Sequence, residues 1–198
     1  MASQTAKRKT KETDITITID IEQPGEVSVA TGLPFFDHIL TSMAFHGGFY
    51  LEIAATGDIE VDPHHLVEDT GIVLGECLKK HLGSGLNVRR FGHAVIPMDD
   101  ALSEVTIDAC NRPYLEFRAV FPQDRSGAFD MWLIREFLLA LANGAGMNLH
   151  ASCRYGDNSH HMAESLFKAL GIALKEGFAA RPGAVRSTKG ILHERGQV

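Results

Sequence analysis

Three cysteines are too few and too scattered for a disulfide framework. Cys77, Cys110 and Cys153 are odd in number, and no Cys-x-x-Cys pair exists to hold zinc. Such usage suits a reducing compartment. No apolar run approaches the roughly 18 residues of a membrane span, and the N-terminus lacks the apolar stretch of a secretory signal. A basic excess is missing too. The formal net charge is −6, which implies no general affinity for nucleic acid. The expectation is a soluble, cytoplasmic protein whose 198 residues are ample for a core, as one large domain or two small ones.

What the chain does have is a motif that occurs twice. Residues 64–68 read His-His-Leu-Val-Glu and residues 160–164 read His-His-Met-Ala-Glu, and each copy opens a helical pattern. Residues four apart share a helix face, so His64 sits over Glu68 and His160 over Glu164. The adjacent His65 and His161 are turned by about 100°. Neighbouring residues on a helix rarely reach one ion, so the doublets suit two. Imidazole with carboxylate and no thiolate favours Mn, Fe, Co or Zn over Ca or Mg. A lone surface doublet would mean little; two at one Glu spacing, 96 residues apart, point to a duplicated metal-binding unit.

The spacing extends the set. His38 precedes its doublet by 26 residues and Glu136 precedes its own by 24. With a small loop difference they share a slot, and both types bind metal. The candidate ligands are His38, His64, His65, Glu68, Glu136, His160, His161 and Glu164. Whether both halves meet within one chain is left open by the sequence; outward-facing sites would form between subunits.

Along the chain, residues 1–11 are polar and basic (Lys7, Arg8, Lys9, Lys11) and read as a solvated arm. Ile15, Ile17, Ile19 and Ile21 alternate with Thr16, Thr18 and Asp20, which predicts a half-buried strand. A second strand is expected over 25–31, then a helix over 35–46, opened by Pro34 and ended by Gly47-Gly48. Strands at 50–55 and 59–61 lead to a helix over 64–82. Beyond a turn-rich link at 83–87, strands are expected at 93–97, 103–109 and 114–120, a helix over 130–142, a strand over 147–154 and a helix over 160–178. The halves, 12–87 and 88–180, thus share one order. The fold class is α+β: duplicated half-domains, each a small mixed β-sheet with helices packed on one face. Residues 181–198 read as a polar tail.

Several blocks carry a resemblance. Gly-Leu-Pro-Phe-Phe-Asp-His-Ile-Leu at 32–40, Asp-Pro-His-His-Leu-Val-Glu-Asp-Thr-Gly at 62–71, Asn-Arg-Pro-Tyr at 111–114, Asn-Ser-His-His-Met-Ala-Glu-Ser-Leu-Phe-Lys-Ala at 158–169 and Ser-Thr-Lys-Gly at 187–190 closely resemble imidazoleglycerol-phosphate dehydratases of histidine biosynthesis. The resemblance runs from about Lys9 to Leu192. It implies a duplicated unit of the ribosomal protein S5 domain 2-like kind. It implies a lyase that dehydrates D-erythro-imidazole-glycerol phosphate to imidazole-acetol phosphate. It also implies two Mn(II) ions per site, and a homo-oligomer of about 24 subunits in closed cubic symmetry with sites between subunits. The slot of Glu136 is His in many members and Glu in others. No room exists for the phosphatase domain fused in some bacteria, and residues 193–198 have no counterpart.

The same resemblance distributes roles. The proton to be removed has no carbonyl beside it, so the imidazole ring must activate the chemistry. A metal-bound imidazolate would expel the hydroxide, and loss of the neighbouring C–H proton would give an enol that becomes the ketone. Glu12 matches a substrate-contacting glutamate and is the favoured base. Glu68 and Glu164 act as catalytic ligands, and the ligand histidines border the substrate. Arg90, Arg112 and Lys189, with Ser187 and Thr188, match a phosphate-binding loop and its surroundings. His46 and Lys168 are further substrate contacts. The competing enzyme class is a dinuclear metal hydrolase of a phosphate ester or amide; the non-enzymatic one is a metal-storage cage.

Overall fold

The computed structural model describes residues 3–83 and 87–181. The first half runs β1 (Gln4–Lys9), β2 (Thr13–Asp20), β3 (Val27–Ala30), α1 (Pro34–Gly47), β4 (Tyr50–Gly57) and α2 (His64–Gly83). The second runs β5 (Phe91–Met98), β6 (Ala101–Asp108), β7 (Tyr114–Arg118), the short β8 (Arg125–Ser126) and β9 (Phe129–Asp130), α3 (Leu133–Ala145), β10 (Asn148–Tyr155) and α4 (Ser159–Phe178).

The duplication is visible in the topology. One sheet has the order β1-β2-β4-β3 and the other β5-β6-β10-β7. In each, the last pair is parallel and the others antiparallel. A parallel neighbour needs a crossover, which α1 and α3 supply. Alternation sets the faces: Ile15, Ile17 and Ile19 are buried under helices while the residues between them face outward.

The long helices α2 and α4 lie on their own sheets, but α1 packs on α4 and α3 on α2. Each helix touches its own half's sheet as expected, and the two halves interlock through their helices. Phe36 of α1, Phe137 of α3 and Phe167 of α4 meet in the middle, with ring centroids 5.4 and 5.5 Å apart. Each such aromatic pair contributes about 0.5–1.5 kcal/mol beyond its buried area. Where α4 crosses α1, Gly47 and Gly171 bring the backbones together: a Cβ on Gly171 would sit 1.9 Å from the Met43 carbonyl oxygen.

Three expectations are corrected. Residues 4–9 are not a solvated arm but strand β1, fully paired with β2. Its inward Ala6 is buried, and Arg8 Nε reaches the Asp69 carboxylate at 2.7 Å. Its charges suit an edge strand, where they blunt pairing with other chains. The first half thus begins at β1, not at residue 12. Residues 59–61 form a turn rather than a strand, because the Asp58 carbonyl accepts the amides of Val61 and Asp62. The hairpin β8–β9, turning at Gly127 with φ 60°, lay below the length that alternation can signal. The tail beyond 181 lies outside the described residues.

Candidate metal centre

Both doublets sit at the start of a helix behind an Asx cap. Asp62 Oδ1 accepts the His64 amide at 2.9 Å. Asn158 Oδ1 accepts the amides of His160 and His161. Capping fixes the entry angle of the chain, and so the direction of the imidazoles.

Among the described residues, three donors converge in one place only: His38, His160 and Glu164 offer ligand atoms within 4.8 Å of one another. His38 Nε2 lies 3.2 Å and His160 Nε2 3.3 Å from Glu164 Oε2. The crossing of α1 on α4 joins residues 126 apart in sequence. Glu164 is 9% exposed, and Lys168 Nζ donates to its other oxygen at 2.9 Å. Burial pushes this carboxyl up, but hydrogen bonds from Lys168 and His38 outweigh it, so Glu164 ionises below the usual carboxylate range. An ionised carboxylate with two imidazole nitrogens is a fit donor set for a borderline divalent ion. The cluster opens on a cavity of about 560 Å³, walled by Phe35, Phe129 and Gly127. That volume suits a small metabolite.

The other half is looser. His64 Nε2 stands 3.9 Å from Glu68 Oε2. Glu136 and His38 each lie ten residues before a left-handed glycine cap, Gly146 and Gly48, which is the shared slot expected from spacing. Yet the structure does not bring Glu136 into a three-donor group: its carboxylate is held by Arg135 Nη1 at 3.0 Å. Trp132 stands against His64 instead, edge to face, with centroids 5.3 Å apart.

The second histidines face carboxylates. His161 Nδ1 is 2.5 Å from Asp100 Oδ1, and its Nε2 is 3.6 Å from Asp99. His65 Nδ1 is 3.3 Å from Asp58 and 3.9 Å from Glu12. The hydrogen bond to Asp58 raises the His65 pKa above its ordinary value, against a smaller effect of burial. Glu12, the favoured base, therefore lies beside His65.

The phosphate candidates divide. Arg90 has an unusual φ of 77° and its guanidinium grips Asp108 at 2.6 and 3.0 Å. Such backbone strain in a non-glycine residue is a feature of functional positions. Arg112 Nη2 touches the same carboxylate at 4.0 Å and is largely exposed. Ser187, Thr188 and Lys189 lie outside the described residues. At the end of α1, burial and the Lys168 charge lower the His46 pKa from its ordinary value.

Asp58, Asp99, Asp100 and Trp132 were missed by sequence reasoning. Asp99-Asp100 had a weak signal, an acidic pair in a tight turn between two strands. Trp132 had none beyond being the single tryptophan.

Comparison with known proteins decides the family. The family model described as imidazoleglycerol-phosphate dehydratase matches residues 31–174. The chain belongs to the imidazoleglycerol-phosphate dehydratase family. It is 46% identical over 194 residues to the imidazoleglycerol-phosphate dehydratase of Lacticaseibacillus casei, covering 97% of this chain and 100% of that one. It is 49% identical over 189 residues to that of Phenylobacterium zucineum, covering 94% and 96%. Among solved structures, the Staphylococcus aureus imidazoleglycerol-phosphate dehydratase matches with a TM-score of 0.82 at 34% identity, covering 91% of this chain and 100% of that one. The Pyrococcus furiosus enzyme, solved in complex with (S)-C348, matches with a TM-score of 0.82 at 39% identity, covering 94% and 99%. The expected duplicated α+β fold agrees with these structures.

Proposed function

We propose that this chain is the hydro-lyase of histidine biosynthesis that converts imidazole-glycerol phosphate to imidazole-acetol phosphate, with Mn(II) as cofactor. The observation that carries the reading is the convergence of His38, His160 and Glu164 at a cavity of metabolite size, in a chain of this family.

His38, His160 and Glu164 would hold one ion and His64 with Glu68 the other, with His65, His161 and Glu136 as further donors to the pair. When bound, Mn(II) supplies Lewis acidity that favours the ionised form of the substrate imidazole. The chain's own groups do the rest. Lys168 keeps Glu164 ionised by donating to the oxygen that does not face the imidazoles. The apolar wall of Phe35 and Phe129 faces the flat ring and excludes water. Arg112, steadied beside the Arg90–Asp108 pair, meets the phosphate, and Ser187, Thr188 and Lys189 complete its site. Glu12 takes the C–H proton as the C–O bond to the neighbouring carbon breaks; the departing hydroxide leaves as water with a proton from solvent, Glu12 returns its own to solvent, and the enol moves its O–H proton to carbon to become the ketone.

Each ligand set is open on one chain, and Trp132, Phe91 and Val61 expose large apolar surface. These features support a homo-oligomer of about 24 subunits in closed symmetry, with sites shared between subunits. No helix among the described residues is long and apolar enough to cross a membrane, which accords with work in the cytoplasm. The test is to incubate protein, Mn(II) and imidazole-glycerol phosphate and follow both an enolisable ketone and free phosphate. Ketone without phosphate release supports the dehydratase. Phosphate release alone would establish the dinuclear hydrolase.

A further inference from the structure

The second histidine of each doublet turns Nδ1 onto a carboxylate from outside its own helix. For His65 it is Asp58, whose two oxygens both lie 3.3 Å away. For His161 it is Asp100, at 2.5 Å. A carboxylate accepts a hydrogen bond, so the contact places the ring proton on Nδ1 and leaves the lone pair on Nε2. A metal-binding imidazole needs that arrangement, and its orientation is set by what its other nitrogen touches.

The two carboxylates do not come from equivalent places. Asp58 follows β4, whereas Asp100 lies in the turn between β5 and β6. The place equivalent to Asp100, one residue before β2, is held by Glu12. Inheritance from one ancestral half would give the same slot twice. Here two different slots supply one contact, which argues for the contact itself. Helix capping does not account for it either. Asp100 does accept the amides of Asp157 and Asn158, at 2.6 and 2.9 Å. The Asp58 carboxylate, however, makes its hydrogen bonds to His65 and to no backbone amide among the described residues.

We infer that Asp58 and Asp100 are positioning residues that lock His65 and His161 as Nδ1–H tautomers and aim Nε2 of each ring at the metal. This rests on the manganese reading above. With Asp58 committed to His65, Glu12 is spared that task and stays available to the substrate.

The test measures Mn(II) affinity of the full-length, metal-stripped protein from the electron paramagnetic resonance signal of free Mn(II), with no turnover involved. Asp58→Ala is expected to weaken binding about 10- to 100-fold, the usual effect of removing such a partner, and Asp58→Glu to restore most of it. Asp100→Asn, which keeps an oxygen for the two amides, is expected to weaken binding in the same direction. His65→Ala is the control. If His65→Ala binds normally, the ligand assignment fails and this inference with it. If His65→Ala is weak while Asp58→Ala and Asp100→Asn bind normally, the positioning role alone is overturned. A loss in Asp58→Ala that Asp58→Glu leaves in place would also overturn it, since the carboxylate is the claim.

Discussion

Replacing Gly171 with alanine probes how packing holds the site. A Cβ there would stand 1.9 Å from the Met43 carbonyl oxygen, 2.8 Å from its carbon and 3.2 Å from the Gly47 amide. An ordinary contact begins near 3.4 Å. The obstacle is backbone, so a rotamer change gives no relief. The helices must part by about 1.5 Å, because close-packed interiors leave no slack. Overpacking of this kind costs about 1–3 kcal/mol, and alanine's better helix propensity returns at most about 1 kcal/mol. A net loss of up to about 3 kcal/mol follows. The same parting moves α1, which carries His38, away from α4, which carries His160 and Glu164. Misplacing reacting groups by about 1 Å costs roughly 100-fold in rate. The assay is a urea midpoint together with Mn-supported turnover. Gly75→Ala, which meets Gly144 and the Ala145 amide at the α2–α3 crossing, is the counterpart: it should also lose stability, but by parting α2, which carries His64 and Glu68, from α3, while the His38–Glu164 cluster keeps its geometry. A Gly171→Ala protein with an unchanged midpoint and full turnover would refute the reasoning.

Other consequences can be checked the same way. Asp69→Ala strips the buried Thr13 hydroxyl and Arg8 of their acceptor, and should cost about 1–3 kcal/mol by urea unfolding; deleting residues 1–9 should also destabilise, whereas a solvated arm could be lost without effect. Trp132 is the single tryptophan and lies against His64, so Mn(II) should quench its fluorescence, and His64→Ala should remove most of that quenching. Glu104 is held by Arg154 and His93, whose hydrogen bonds lower its pKa below the ordinary carboxylate value despite some desolvation. Its contribution is therefore fully present above about that pH and lost as pH falls through the depressed folded value. Glu104→Gln should lower the urea midpoint slightly at pH 7 and progressively less as pH falls below the ordinary carboxylate range, the effect being small because the pair is partly solvated.

The legible parts of the chain were those where one periodicity dominates. Alternating isoleucines marked β2, and the Pro34 and Gly47-Gly48 signals bracketed α1 to within a residue or so. Strand β1 was hidden because its single inward apolar residue, Ala6, is followed by outward Lys7 and Lys9, and the next inward position, between those two, is the charged Arg8, which pairs with Asp69. Ile59 and Val61 mimicked a strand because an alternating pair looks alike in a turn and in a sheet. The crosswise packing of α1 on α4 was invisible, since glycine at 47 and 171 signals a close approach without naming the partner. At the site, the doublets and His38 stood out through repetition. The carboxylates behind them did not, because Asp58 and Asp100 break the repeat: the contact is conserved between halves while the positions are not.

The most direct measurement is turnover of imidazole-glycerol phosphate by metal-stripped protein, with and without added Mn(II), in the parent and in Glu164→Ala. The account predicts ketone formation that needs Mn(II) in the parent and is lost, along with bound Mn(II), in the variant. Metal-independent turnover, or a Glu164→Ala protein that binds Mn(II) and turns over as the parent does, would contradict it.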